Sequence, residues 1–172
     1  MTNPRIGLLP LYLELYDRLL PKCRPGMEDF ARRIGQAFAA RGVTVTAARV
    51  CRRRAEFARA VREFEQVGVD AIVTLHLAYS PSLESADALA ATRLPILVLD
   101  TTPTFDFGFG QDAGEIMDNH GIHGVQDLCN LLIRRGKPFR IEAGHWRRSD
   151  VLARAGVLIW WASRRRPAAS PS

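Results

Sequence analysis

Short apolar stretches alternate with amphipathic helical segments about five times along this chain, and this alternation limits its fold more than any other feature. The stretches at 70–77 and 96–101 are apolar at consecutive positions. Such runs are typical of strands that are buried on both faces of a parallel sheet. The intervening segment at 54–68 has apolar residues at helical spacing, which indicates a helix packed on that sheet.

The order of these elements predicts the fold class. We expect an α/β, flavodoxin-like, doubly wound parallel sheet of about five strands, in the order 2-1-3-4-5. This domain should occupy residues 1–150, and residues 151–172 form a basic tail for which truncation and disorder both stay open. Strands are predicted near 5–15, 43–50, 70–77, 96–101 and 139–146, and helices near 26–42, 54–68 and 83–93. A last helix is predicted from the apolar positions 125, 128, 129 and 132, with its end at 134–135.

Charge and composition narrow the class of protein. The net charge is +6, but residues 147–172 contain six arginines and one aspartate, whereas residues 1–146 are almost balanced. A continuous basic surface for nucleic acid is therefore not expected. The chain shows no signal peptide and no apolar stretch near 18 residues, so we expect no membrane partner. Three widely spaced cysteines favour a reducing, cytoplasmic location, and a homo-oligomer stays open.

Four segments should meet at one edge of the sheet. In open parallel sheets the ligand site lies beyond the carboxyl ends of the strands. The segments that follow those ends are 11–16, 76–80 and 101–107, together with the glycine- and histidine-rich segment 118–124. We therefore expect a ligand site formed by these four segments.

Two histidines in the last segment are the strongest candidate site residues. His120 and His123 are three positions apart, so one helical turn places both on one face. Their imidazoles suit sugar hydroxyls, and the adjacent Gly121 and Gly124 would let a ligand approach the backbone. A metal site with a nearby carboxylate is a weaker alternative, and a purely structural role stays open.

Other motifs point to no particular reaction. The loop after the first strand has no phosphate-binding glycine pattern, and Ser80 and Ser82 lack the surroundings of a hydrolase nucleophile. His76 is more consistent with a core histidine than with a ligand. For His145, next to Trp146 at the end of the fifth strand, structure and function are equally supported.

The segment "NHGIHGVQDLCNLLIRRGKPFRIEAGHW" resembles the L-arabinose isomerase and L-fucose isomerase-like family, which has an H-G pair before a helix and ends in G-H-W. "LPLYLELYD" and "TLHLAYSPS" resemble its first and third strands with their loops. The resemblance implies an N-terminal, substrate-contacting domain in a family that interconverts aldoses and ketoses with manganese. The family's metal ligands lie in later domains, so the resemblance implies that this chain alone binds no manganese and is inactive.

The resemblance also implies which residues contact a small sugar substrate. It points to His123, with His120 nearby and Leu15 and Tyr16 in the first loop, and Tyr79 joins them from the loop after the third strand. No catalytic residue and no metal ligand is expected within this chain. Two alternatives are kept: a stand-alone module that binds a small polar ligand, and a metal-dependent enzyme that uses the two histidines with an acid.

Overall fold

A computed structural model describes residues 2–164, which form one five-stranded parallel sheet. The strand order is β2-β1-β3-β4-β5, and all four pairings are parallel, so the predicted fold class and strand order are confirmed. The strands are β1 (Arg5–Leu11), β2 (Thr44–Ala47), β3 (Ala71–His76), β4 (Ile96–Asp100) and β5 (Phe139–Ala143).

Helices cover both faces of the sheet. They are α1 (Leu15–Leu19), α2 (Cys23–Ala39), α3 (Arg54–Val67), α4 (Ala86–Ala91), α5 (Gly121–Arg134) and α6 (Val151–Arg164), with short 3₁₀ helices at Ser82–Glu84 and Ala113–Asn119. One core contains buried residues of α2 and α6, and the other contains buried residues of α3, α4 and α5. The sheet is therefore the middle of three layers, as expected for a doubly wound fold.

Alternation within the strands explains why two cores form. In β4, Leu97 and Leu99 belong to the core with α2 and α6, whereas Ile96 and Val98 belong to the other core. Successive side chains of a strand point to opposite faces, so a strand that is apolar at every position needs helices on both sides.

Helix α6 lies in the segment for which the sequence suggested only a basic tail. Its buried residues include Leu152, Ala155 and Ile159, and they pack on the same core as α2. The spacing of these residues places one apolar stripe on the sheet, which explains why the segment is helical despite its arginines. The remainder of the predicted tail, residues 165–172, lies outside the described residues.

Two further observations complete the fold. Helices α3 and α5 are followed by Gly68 and Gly136 with φ of 72° and 67°, a left-handed conformation that glycine adopts at low cost.

Within residues 2–164, none of the helices combines the length and the hydropathy that crossing a lipid bilayer requires.

Candidate functional site

The carboxyl edge of the sheet is where the expected site residues lie. The chain leaves β3 through Ala78, a buried residue with φ of 55°, which is unusual for a residue other than glycine. Such backbone strain is found where the surrounding structure holds a loop in one arrangement, often at functional sites. Tyr79 and Ser80 follow directly, so the strained turn determines where these two side chains project.

Tyr79, His120 and His123 form one cluster at this edge. His120 precedes α5, and its ring centroid lies 4.5 Å from that of His123 and 6.2 Å from that of Tyr79. The Tyr79 hydroxyl donates a hydrogen bond of 3.1 Å to Oδ2 of Asp127, one turn further along α5 than His123. The structure therefore brings together three residues that were expected from separate parts of the sequence.

Burial and neighbouring groups shift the pKa values of two residues of the cluster. Burial lowers the pKa of His120, and the neighbouring His123 lowers it further. Burial raises the pKa of Tyr79, and its hydrogen bond to Asp127 acts in the same direction. At neutral pH the neutral imidazole of His120 can therefore donate and accept hydrogen bonds, and Tyr79 offers a phenol.

The two first-loop residues are placed differently from each other. Tyr16 is half-buried, contacts the ring of Tyr12 edge-on at 5.7 Å, and is close enough for its charge to affect the pKa of Tyr79. Leu15 instead lines a neighbouring cleft of about 700 Å³ together with Arg53 and Glu84. Consecutive residues of a helix point in different directions. Tyr16 therefore faces the cluster of Tyr79, His120 and His123, whereas Leu15 lies outside that cluster.

Gly121 and Gly124 have a different role from the one expected from the sequence. Both are buried, and a Cβ at Gly124 would lie 2.6 Å from Cδ2 of His76 and 3.1 Å from the Ser80 carbonyl oxygen. At Gly121 a Cβ would lie 3.0 Å from the His76 carbonyl oxygen. These glycines therefore allow α5 to pack closely on the end of β3, and they do not open the backbone to a ligand.

The carboxyl edge also holds buried polar atoms that lack hydrogen-bond partners within residues 2–164. They include the Ser80 hydroxyl after β3, the Thr101 hydroxyl after β4, Nε1 of Trp146 after β5, and Nδ1 of His120 before α5. The Tyr12 hydroxyl after β1, Nε of Arg52 after β2 and both ring nitrogens of His76 at the end of β3 belong to the same set. Most buried polar groups in proteins are paired with protein or with ordered water. Several such atoms along one edge indicate a place where water or a polar ligand supplies the missing partners.

The other two histidines are structural. His76 is fully buried at the end of β3, where burial lowers the pKa of its imidazole to about 3. His145 accepts hydrogen bonds at Nδ1 from the backbone N–H groups of Arg147 and Arg148, at 3.2 and 3.1 Å. It therefore fixes the turn that leads into α6.

Sequence reasoning missed two carboxylates near this edge as site residues. Asp127 entered the sequence analysis only as one of the nearby carboxylates of the weaker metal alternative, although its position four residues after His123 places both on one helix face. Asp100 is half-buried, and burial raises its pKa. An acidic residue at the end of the otherwise apolar strand β4 was the signal that could have identified it.

A metal-dependent site receives no support from the geometry. Among the described residues, no three His, Cys, Asp or Glu side chains come together in a way that could hold a metal ion. His120 and His123 lie against each other and against Tyr79, and the nearby Asp127 is engaged by the Tyr79 hydroxyl.

Comparison with known proteins gives little beyond the fold. The chain matches no protein-family profile and no curated protein. Among solved structures it is similar to the Escherichia coli transcriptional repressor ascG, with 14% sequence identity and a TM-score of 0.38. That match covers 95% of this chain and 65% of the repressor chain. This chain therefore spans less than two thirds of the length of the repressor. At this TM-score the likeness says nothing about function.

The isomerase resemblance is corrected by these comparisons. No L-arabinose or L-fucose isomerase profile and no curated isomerase matches the chain. The isomerase assignment, and with it a role in carbohydrate metabolism, was therefore wrong. Local structure explains the misleading pattern: Gly121 and Gly124 provide close helix packing, and His145 caps a turn.

Proposed function

We propose that this chain is a binding module for a small, neutral, polyhydroxylated ligand of the sugar class, with its site at the carboxyl edge of the sheet. The proposal rests on the buried, unpartnered polar atoms at this edge, together with the cluster of Tyr79, His120 and His123. A ligand with several hydroxyl groups can donate and accept hydrogen bonds at the same time, which is what this mixture of neutral groups requires.

The charge distribution favours a neutral ligand over an anion. Residues 94–133, which supply both histidines and Asp127, contain no lysine or arginine. A phosphate beside the two histidines would therefore meet carboxylates and neutral rings, because the nearest arginines after β5, Arg147 and Arg148, stack on the rings of Trp146 and Phe105. The Asp127 carboxylate and the half-buried Asp100 can accept hydrogen bonds from ligand hydroxyls, and the ring of Tyr79 offers an apolar surface.

Isothermal titration calorimetry tests the proposal. The panel contains D-ribose, L-arabinose, D-glucose and D-galactose, with ribose 5-phosphate and AMP as charged comparators. We expect at least one neutral sugar to bind more tightly than either phosphate. His123→Ala should weaken that binding about tenfold and Tyr79→Phe about fivefold, because each removes hydrogen bonds at the site.

The matched control is Ile133→Ala, a change at an exposed position on the same helix. It should leave the affinity unchanged, and circular dichroism should show that all three variants keep the native helix content. Tighter binding of a phosphate than of any sugar, or equal affinity of His123→Ala and the unmodified chain, would contradict the proposal.

A further inference from the structure

A groove separate from the histidine cluster lies between the turn that joins α1 to α2 and the 3₁₀ helix Ala113–Asn119. Its volume is about 720 Å³. One wall is apolar and contains Leu19 and Leu20, which are 64% and 37% exposed. The other wall comes from the 3₁₀ helix and its cap.

The second wall carries three carboxylates without an ion-pair partner, of which Asp112 accepts one hydrogen bond, from the Gly114 N–H. Asp112, Glu115 and Asp118 line it, and no arginine or lysine in the described part of the chain forms an ion pair with any of them. Lys22 is the one basic residue among the described lining residues. Burial raises the pKa of Asp118, and the charge of Glu115 raises it further. A cation placed against this wall would relieve that repulsion.

Further apolar side chains of the same stretch of chain are exposed outside the groove lining. Ile116 of the same 3₁₀ helix is 45% exposed, and Phe107 and Phe109 of the preceding loop are also exposed. A small molecule that filled the groove would leave these side chains in water. Exposed apolar side chains together with unpaired charge are typical of a protein–protein contact.

We propose that this groove binds a cationic amphipathic segment of a partner protein. The partner's basic side chains lie against Asp112, Glu115 and Asp118, and its apolar side chains pack on Leu19 and Leu20. The groove thus selects its partner by charge on one wall and by apolar burial on the other, in the manner of a helix or strand that lies in a groove.

Fluorescence anisotropy with two labelled model peptides tests this docking. One is a 14-residue amphipathic peptide of leucine and lysine, and the other replaces every lysine with glutamate. The lysine peptide should bind the full chain, and its binding should weaken as salt concentration rises. The glutamate peptide should not bind. Failure of the lysine peptide to bind, or binding of both peptides, would overturn the proposal.

Variants locate the binding to the groove. The double change Glu115→Gln, Asp118→Asn should weaken binding of the lysine peptide about fivefold, because two ion pairs with the peptide are lost, one at an exposed carboxylate and one at a half-buried carboxylate. Leu19→Ser should weaken it about tenfold, because a half-exposed apolar contact is lost. The matched controls, Glu63→Gln and Ile133→Ser, change exposed residues elsewhere and should leave the affinity unchanged. Equal effects of groove and control variants would contradict the assignment.

Two further measurements distinguish a cationic partner segment from a second copy of the chain and from a small cation as the occupant of the groove. Size-exclusion chromatography with light scattering on the unmodified chain should show no dimer that Leu19→Ser dissociates. A dimer that this change dissociates would mean that a second copy of the chain occupies the groove, and the proposal would fail. Tight binding of spermidine that displaces the lysine peptide fully would likewise identify a small cation as the occupant and overturn the proposal.

Discussion

At the scale of single residues, the position of a histidine in the fold explains its role better than its residue type does. The chain has four histidines, and their roles follow from where each one lies. His76 is in the core, His145 caps a turn, and His120 and His123 form a pair at the carboxyl edge. The sequence predicted the pair from spacing alone. It could not predict the contact between Tyr79 and Asp127, because that bond joins residues 48 positions apart whose approach depends on packing.

The buried His76 should make the stability of the protein sensitive to mild acid. Its pKa is about 3 in the folded chain, against an ordinary value of 6.5. Below pH 6.5 the unfolded chain takes up a proton that the folded chain does not. The free energy of unfolding is therefore highest above pH 6.5 and falls as the pH drops towards 3, by about 2 kcal/mol between pH 7.5 and pH 5.

Urea unfolding at pH 7.5 and pH 5.0, for the unmodified chain and for His76→Leu, measures this effect. The leucine side chain cannot be protonated, so the variant should lose less stability between the two pH values. Half-buried His120 contributes in the same direction, and it remains in both proteins. An identical pH dependence in the two proteins would show that His76 is not the source.

At the scale of elements, the strands and most helices could be predicted from apolar spacing, whereas close packing could not. Helix α5 was expected from Val125, Leu128 and Leu132, which are all buried, and its end was expected from Gly136. Helix α6 was missed because the predicted tail as a whole, residues 151–172, is rich in arginine, alanine, proline and serine, although the apolar stripe of the helix was present. The close approach of α5 to β3 depends on Gly121 and Gly124. The packing role of these glycines is visible only in the three-dimensional contacts.

Gly124→Ala should destabilise the protein because the added methyl group has no space. Its Cβ would lie 2.6 Å from the His76 ring and 3.2 Å from the Ser80 backbone nitrogen. Helix α5 must then move away from β3, at a cost of about 1–3 kcal/mol, as for other overpacked cores. Movement of α5 would also displace His123 from Tyr79.

Gly156→Ala in α6 is the matched control, since nothing lies within 4 Å of a Cβ at this position. It should stabilise the protein by about 0.5–1 kcal/mol, because alanine loses less conformational freedom than glycine in a helix. Chemical denaturation of both variants provides the comparison. A Gly124→Ala chain as stable as the unmodified one would contradict the packing account.

At the scale of the whole molecule, topology locates the site but does not name the ligand. The order β2-β1-β3-β4-β5 follows from five strand–helix alternations and the short connections between them. Once that order is known, the carboxyl edge is the expected place for a site. The family resemblance went further and failed, because the glycines and histidines that carried it serve helix packing and turn capping in this chain.

The unpartnered polar atoms explain why the whole edge, and not one residue, is assigned to the ligand. Ser80, Thr101 and Trp146 follow three different strands, and each has a buried polar atom without a partner in the described part of the chain. Apolar side chains at these positions would have stabilised the fold and would have left no buried polar atom without a hydrogen-bond partner. Their presence at the carboxyl edge is the whole-molecule feature that the proposed ligand site explains.

The most direct test follows the four imidazole rings by nuclear magnetic resonance while the best-binding neutral sugar of the panel is added. Each ring gives its own ¹H–¹⁵N signals. We expect the signals of His120 and His123 to shift in a saturable way, and the backbone amide signal of Ile133, at the exposed control position near the far end of α5, to stay in place. Signals of His120 and His123 that remain unchanged at saturation, or that shift no more than the Ile133 amide signal, would contradict a sugar site at the carboxyl edge.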